Sequence, residues 1–89
     1  MDKLTKLRNQ IDKVDEEFVK TLAKRLEIVK RIGEYKKARG IPALDQKRWD
    51  EVLESKTKKA KKLGVDENLV REVYESIHKY SLRLERSRK

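Results

Sequence analysis

Residues 2–39, DKLTKLRNQIDKVDEEFVKTLAKRLEIVKRIGEYKKAR, run without a proline and with a single glycine, Gly33. Apolar side chains at Leu4, Leu7, Ile11, Val14, Phe18, Leu22, Val29 and Ile32 follow the steps of three and four that define one helix face. At 1.5 Å per residue such a helix is roughly 57 Å long, whereas a compact chain of this size has a radius of gyration of about 12 Å. The rest of an 89-residue chain cannot sheathe a rod of that length. The long helix therefore calls for a second chain.

Downstream, Gly40-Ile41-Pro42 ends the helix, with Gly40 placed to take the left-handed conformation after the last turn. Asp45 reads as the N-cap of a second helix over 46–62, with Trp49, Val52 and Leu53 inward. Lys58, Lys59, Lys61 and Lys62 crowd its last turns, where cations suit the helix dipole, and Gly64 stops it. Asp66 caps a third helix over 67–86, whose buried stripe is Val70, Val73, Tyr74, Ile77 and Leu84. The closing Arg86-Ser87-Arg88-Lys89 reads as a frayed tail. No strand alternation or internal repeat interrupts this pattern, so the expectation is all-α, three helices per chain, with residues 1–89 forming a single domain.

Composition narrows the function classes. Hydrophobic residues are 36% of the chain and charged residues 46%, a thin core that again favours association. Without cysteine there is no disulfide framework and no thiolate metal site, and His78, the single histidine, makes no zinc site alone. The sequence is polar from residue 2 and carries no apolar run of membrane-spanning length, which gives the expectation of a cytoplasmic protein with no membrane partner. A net charge of +9 suits anionic partners of any kind.

The sharper signal is charge on the wrong face. A strict alternation of three and four from Arg8 passes through Ile11, Asp15, Phe18, Leu22, Arg25, Val29, Ile32 and Lys36, mixing core residues with ionisable ones. Cations drawn into a core cost several kcal/mol unless a carboxylate or a ligand meets them. Snorkelling, or an Arg8–Asp15 pair, is the bland explanation. An anionic ligand accounts better for three cations on one stripe. Arg25 and Lys36 project in nearly the same direction about 16 Å apart, close enough to grip two ends of one small molecule. Arg8 lies about 26 Å from Arg25 along the axis, beyond reach of that molecule in its own chain. In an antiparallel pair of long helices, Arg8 of the partner subunit approaches Arg25, and the site becomes composite.

Leu7-Arg8-x-x-Ile11-Asp12-x-x-Asp15, then Leu22-Ala23-Lys24-Arg25, Ile32-Gly33-x-x-Lys36, Ile41-Pro42 and Asp45-x-x-Arg48 together resemble the all-helical family of chorismate mutases. The resemblance covers nearly the whole chain. It implies an intertwined six-helix homodimer with two active sites that converts chorismate to prephenate without a metal or cofactor. By position, Arg25 and Arg8 of the partner subunit match the clamps on the substrate carboxylates. Lys36 matches the cation that touches the ether oxygen and a carboxylate. Asp45 and Arg48 match the start of the second helix, which closes over the ring hydroxyl and a carboxylate. Ser81 matches a polar contact on the third helix, and Glu85 the residue facing the ether oxygen. Arg25, Lys36 and Glu85 are thus the expected catalytic groups.

This chemistry needs no nucleophile, because the rearrangement is a concerted bond exchange within one molecule. Holding the dianion in a compact conformer and stabilising charge on the breaking ether bond are the two routes to acceleration. Arginine forks suit the first and Lys36 the second.

Two positions depart from the family pattern. Trp49 stands where many members have glutamate; an indole accepts no hydrogen bond from the ring hydroxyl, and Gln46, one turn back, is the candidate replacement. The Gln46-x-Arg48-Trp49 variant resembles a subgroup often fused to another shikimate-pathway enzyme. Glu85 stands where bacterial relatives commonly carry glutamine, and some fungal relatives with glutamate here work best in acid. A carboxylate facing a developing oxyanion repels it while a carboxylic acid donates to it, so the expected rate rises toward mildly acidic pH.

Two other functions compete. An isochorismate pyruvate-lyase shares the scaffold and the carboxylate grip; Asp45-Gln46-x-Arg48 favours the mutase. A basic helical nucleic-acid or protein-binding module fits the net charge and the lysines at 56–62. The aromatic residues, however, fall on apolar stripes and leave no stacking platform, which argues against nucleic acid.

Overall fold

The computed structural model describes residues 2–87 and contains three helices in chain order, with no strand among the described residues. Helix α1 spans Lys3–Ala38, α2 Gln46–Lys62 and α3 Glu67–Arg86. Each begins on an aspartate. Asp2 accepts from the Thr5 N–H at 2.7 Å, Asp45 from the Arg48 N–H at 3.0 Å, and Asp66 from the Asn68 and Leu69 N–H groups at 2.7 and 3.2 Å. These bonds satisfy amide donors that the first helical turn leaves open. Helix α3 ends at Arg86, with Ser87 as its C-cap; Arg88 and Lys89 of the expected frayed tail lie outside the described residues.

The first two helices end in the same way. Gly40 and Gly64 adopt φ of 67° and 73°. The next residue then donates back to the helix, Ile41 N–H to Lys36 O and Val65 N–H to Ala60 O, each at 2.8 Å. This double closure requires a left-handed residue, which glycine supplies without a steric penalty.

Helix α3 packs against both α1 and α2, which do not pack directly on each other. The result is an elongated body of 57 × 28 × 14 Å with a radius of gyration of 16.5 Å, well above the compact value of about 12 Å. Among the described residues buried apolar ones are few, Val29 on α1 and Val52 and Ala60 on α2, and no large side chain is fully buried. Of the expected α3 stripe, Val70, Tyr74, Ile77 and Leu84 are half-buried and Val73 is more open.

The N-terminal half of α1 departs from the expected core in a way that physics explains. Leu4, Leu7, Ile11, Val14 and Phe18 are all exposed, Phe18 at 59% and Val14 at 66%. Helices α2 and α3 are too short to reach them, so one chain leaves an apolar stripe uncovered along half of its longest helix. Two tyrosines also depart from the apolar stripes expected of the aromatics. Tyr35 and Tyr80 are exposed, with the Arg39 guanidinium 3.7 Å from the Tyr35 ring centre and Arg83 5.4 Å from that of Tyr80. None of the described helices is long and apolar enough to cross a membrane.

Candidate active site

The C-terminal half of α1, the 40–45 loop, the start of α2 and the last turns of α3 enclose a cavity of about 240 Å³. From α1 come Arg25 and Lys36, set above Val29 and Ile32. The loop and α2 contribute Asp45, Arg48 and Trp49, and α3 contributes His78, Ser81 and Glu85.

Lys36 is the hub. Its Nζ donates to Glu85 Oε1 at 3.0 Å and to the Ala43 carbonyl at 2.6 Å. Both partners of the ion pair are sheltered, with side chains 19% and 10% exposed. Because the Lys36 carbonyl also accepts from Ile41, one residue holds the loop by backbone and side chain together. That fixes where Asp45 can begin α2. Asp45 caps the helix through one carboxylate oxygen while lining the cavity.

Arg25 is half-buried one layer along α1. Its Nη1 lies 3.5 Å from Ser81 Oγ, and its guanidinium carbon lies 5.8 Å from the Tyr74 ring centre. A neutral hydroxyl and an aromatic face hold the fork in place without neutralising it, which leaves its charge for a ligand carboxylate. Ser81 is itself buried.

Close approach of α1 and α3 makes the Lys36–Glu85 contact possible. A Cβ added at Gly33 would sit 3.0 Å from the Glu85 Cα and 3.3 Å from its Cβ and Cγ. Glycine at this position therefore sets the depth at which Glu85 enters the cavity.

Trp49 and His78 form a parallel stack across α2 and α3, with ring centroids 3.8 Å apart and planes 6° from parallel. Burial pushes His78 below the ordinary histidine value of 6.5. The Glu85 charge opposes that shift, and Arg25, Arg86 and Lys36 reinforce it. Trp49 lines the cavity as well as joining the helices.

Of the residues singled out from sequence, Arg25, Lys36, Asp45, Arg48, Ser81 and Glu85 come together in this one cavity. Gln46 and Arg8 do not join them. The Gln46 amide donates to Asp50 at 3.0 Å on the outer face of α2. Arg8 is exposed far along α1, and no ion pair joins it to Asp15 among the described residues. His78, which the sequence excludes only as a lone zinc site, also lines the cavity. Its signal was the spacing Tyr74, His78, Ser81, Glu85, steps of four, three and four that put it on the cavity face of α3. Among the described residues no three His, Cys, Asp or Glu side chains gather as a metal site.

The chain matches the family described as chorismate mutase type II over residues 7–86. It is 41% identical over 78 residues to the T-protein of Enterobacter agglomerans, an alignment covering 88% of this chain and 21% of that protein. It is 28% identical over 86 residues to the chorismate mutase of Methanocaldococcus jannaschii, covering 97% of this chain and 87% of that enzyme. Against the 4-amino-4-deoxychorismate mutase of Streptomyces pristinaespiralis it is 32% identical over 84 residues, 94% of this chain and 65% of the other. The chain thus spans about a fifth of the length of the T-proteins it matches. Since the matched span takes in α2, α3, all but the first turn of α1 and every residue lining the cavity, the chain belongs to the chorismate mutase type II family.

Proposed function

We propose that this chain catalyses the rearrangement of chorismate to prephenate, as a single domain acting in an intertwined six-helix homodimer in the cytoplasm. The observation that carries the reading is the convergence of Arg25, Lys36 and Arg48 on one cavity against only two carboxylates, Asp45 and Glu85. Three cations and two acids leave one net positive charge, and the ligand is a dianion. A further cation is needed, and Arg8 of the partner subunit supplies it. Supporting the dimer is the exposed stripe from Leu4 to Phe18, apolar surface that a second α1 would cover.

In this mechanism Arg25 and Arg8 of the partner subunit hold the enolpyruvyl and ring carboxylates so that the bond-forming carbons approach each other. Arg48 and Asp45 close the start of α2 over the ring. Lys36 leaves its contact with Ala43 or Glu85 and donates to the ether oxygen as the carbon–oxygen bond breaks, offsetting the negative charge that develops there. Glu85, paired with the Lys36 ammonium at 3.0 Å, keeps that cation at the cavity wall for this contact. Bond breaking and bond making occur within one molecule, so no proton, metal or cofactor enters the balance.

Loss of chorismate absorbance, followed for the wild type, Arg25→Ala and Lys36→Ala, tests this reading. Turnover by the parent and its loss in both variants is expected. A parent that leaves chorismate untouched while consuming 4-amino-4-deoxychorismate or isochorismate would overturn the substrate assignment.

A further inference from the structure

Chorismate carries a ring hydroxyl as well as its two carboxylates and ether oxygen, and in a desolvated cavity that donor needs an acceptor. The α2 side chain beside Arg48 is Trp49, whose indole N–H only donates. Gln46 is turned outward onto Asp50. Asp45 has one carboxylate oxygen engaged by the Arg48 N–H. Ser81 already accepts from Arg25, and Glu85 faces Lys36. Among the described residues on the wall, His78, stacked flat on the indole across the α2–α3 seam, is the side chain able to accept that makes no hydrogen bond or ion pair.

We infer that His78 is a substrate-contacting, specificity-determining residue that accepts the hydrogen bond of the ring hydroxyl, with Trp49 as the rigid backing that fixes the plane of its imidazole. The assignment rests on the mutase reading and deepens it. On this assignment the acceptor sits on α3, with Trp49 of α2 as its backing.

Three features support it. The parallel stack, 3.8 Å between centroids, covers one face of the imidazole and restrains its tilt, so the ring nitrogens keep a fixed direction. A neutral imidazole carries one lone pair and one N–H, which suits a hydroxyl that must give its proton and accept none. His78 is held neutral at physiological pH by burial and by Arg25 and Lys36 of α1 and Arg86 of α3, against the opposing charge of Glu85; Asp45 and Arg48 face the same cavity from the α2 side.

The experiment compares chorismate with an analogue bearing hydrogen in place of the ring hydroxyl, on the wild type, His78→Phe and His78→Gln. Circular dichroism and melting confirm that each variant is folded. His78→Phe keeps an aromatic ring for the stack and removes the acceptor. It lowers the preference for chorismate over the analogue, read as the ratio of their kcat/KM values, roughly tenfold, the equivalent of one hydrogen bond. His78→Gln, whose amide oxygen accepts, recovers part of the preference for chorismate. Equal losses on both substrates, or an undiminished preference in His78→Phe, would overturn the assignment while leaving the mutase reading intact. A preference abolished by Asp45→Ala but kept by His78→Phe would move the acceptor to Asp45. A wild type that turns over neither compound would remove the mutase reading and this assignment with it.

Discussion

The Lys36 ammonium lies 3.0 Å from Glu85 Oε1 and 2.6 Å from the Ala43 carbonyl, tying α1, α3 and the approach to α2 together at a single atom. Both side chains are largely shielded from water. Electrostatic attraction is stronger in such a setting than at the surface, and loss of one partner strands the other. The groups expected to act on the breaking bond therefore also hold the site together.

Lys36→Ala separates these roles. The variant loses kcat/KM on the order of a hundredfold or more, as expected for removal of a cation at a developing oxyanion. It also loses about 2 kcal/mol of stability, because Glu85 keeps its place without a counter-charge. Urea denaturation of Lys36→Ala beside a Lys36→Ala/Glu85→Gln double variant checks the second statement. The double variant recovers part of the stability and none of the activity.

Glu85→Gln removes the charge while keeping a donor. An amide N–H can donate to the ether oxygen where a carboxylate only repels the charge developing there. Lys36 is also released from its 3.0 Å ion pair, so kcat/KM of Glu85→Gln matches or exceeds that of the parent. Chorismate turnover by both proteins at one pH checks this, and a glutamine variant markedly slower than the parent would contradict it.

Gly33→Ala tests the approach of α1 to α3. The added methyl meets the Glu85 backbone at 3.0 Å, so α3 must yield by a few tenths of an ångström. Alanine gains about 1 kcal/mol of helix propensity, which offsets much of the overpacking cost. Activity therefore falls further than stability, by roughly tenfold in kcat/KM, since a small displacement of a reacting group is costly. Parallel melting and turnover measurements separate the two effects; full activity in Gly33→Ala would refute the role given to this contact.

His78 makes stability depend on pH. Its folded value is depressed below 6.5 while the unfolded chain titrates at the ordinary value, so between the two the unfolded state binds more protons. The contribution is complete above 6.5 and is lost as pH falls through the folded value. Melting temperatures measured at about pH 8 and about pH 5 should fall further for the wild type than for His78→Phe. Equal falls would show that His78 is not the group responsible.

Helix identity was legible in the sequence because capping and termination are local. Asp45, Asp66, Gly40 and Gly64 each act through bonds to residues within five positions. The α1 site stripe was legible for the same reason, since Arg25 and Lys36 on an apolar face form a periodic anomaly. What escaped depends on contacts between helices. His78 alone reads as an isolated histidine and becomes part of the wall only when Trp49 meets it from α2. Gly33 looks like a weak point in a helix until Glu85 is seen packed against it. Gln46 lies one turn from Trp49, but its amide donates to Asp50 on its own helix, a local contact that the sequence alone does not choose.

The central claim is that cations from two chains meet around one dicarboxylate, and subunit mixing tests it most directly. Arg8→Ala and Arg25→Ala proteins, each inactive alone, are unfolded together, refolded as a mixture and assayed with chorismate. Random pairing makes half the dimers mixed, each with one doubly damaged and one intact site, so activity should return to roughly a quarter of wild type. A mixture as inactive as its components, from chains shown to have exchanged, would contradict the shared site.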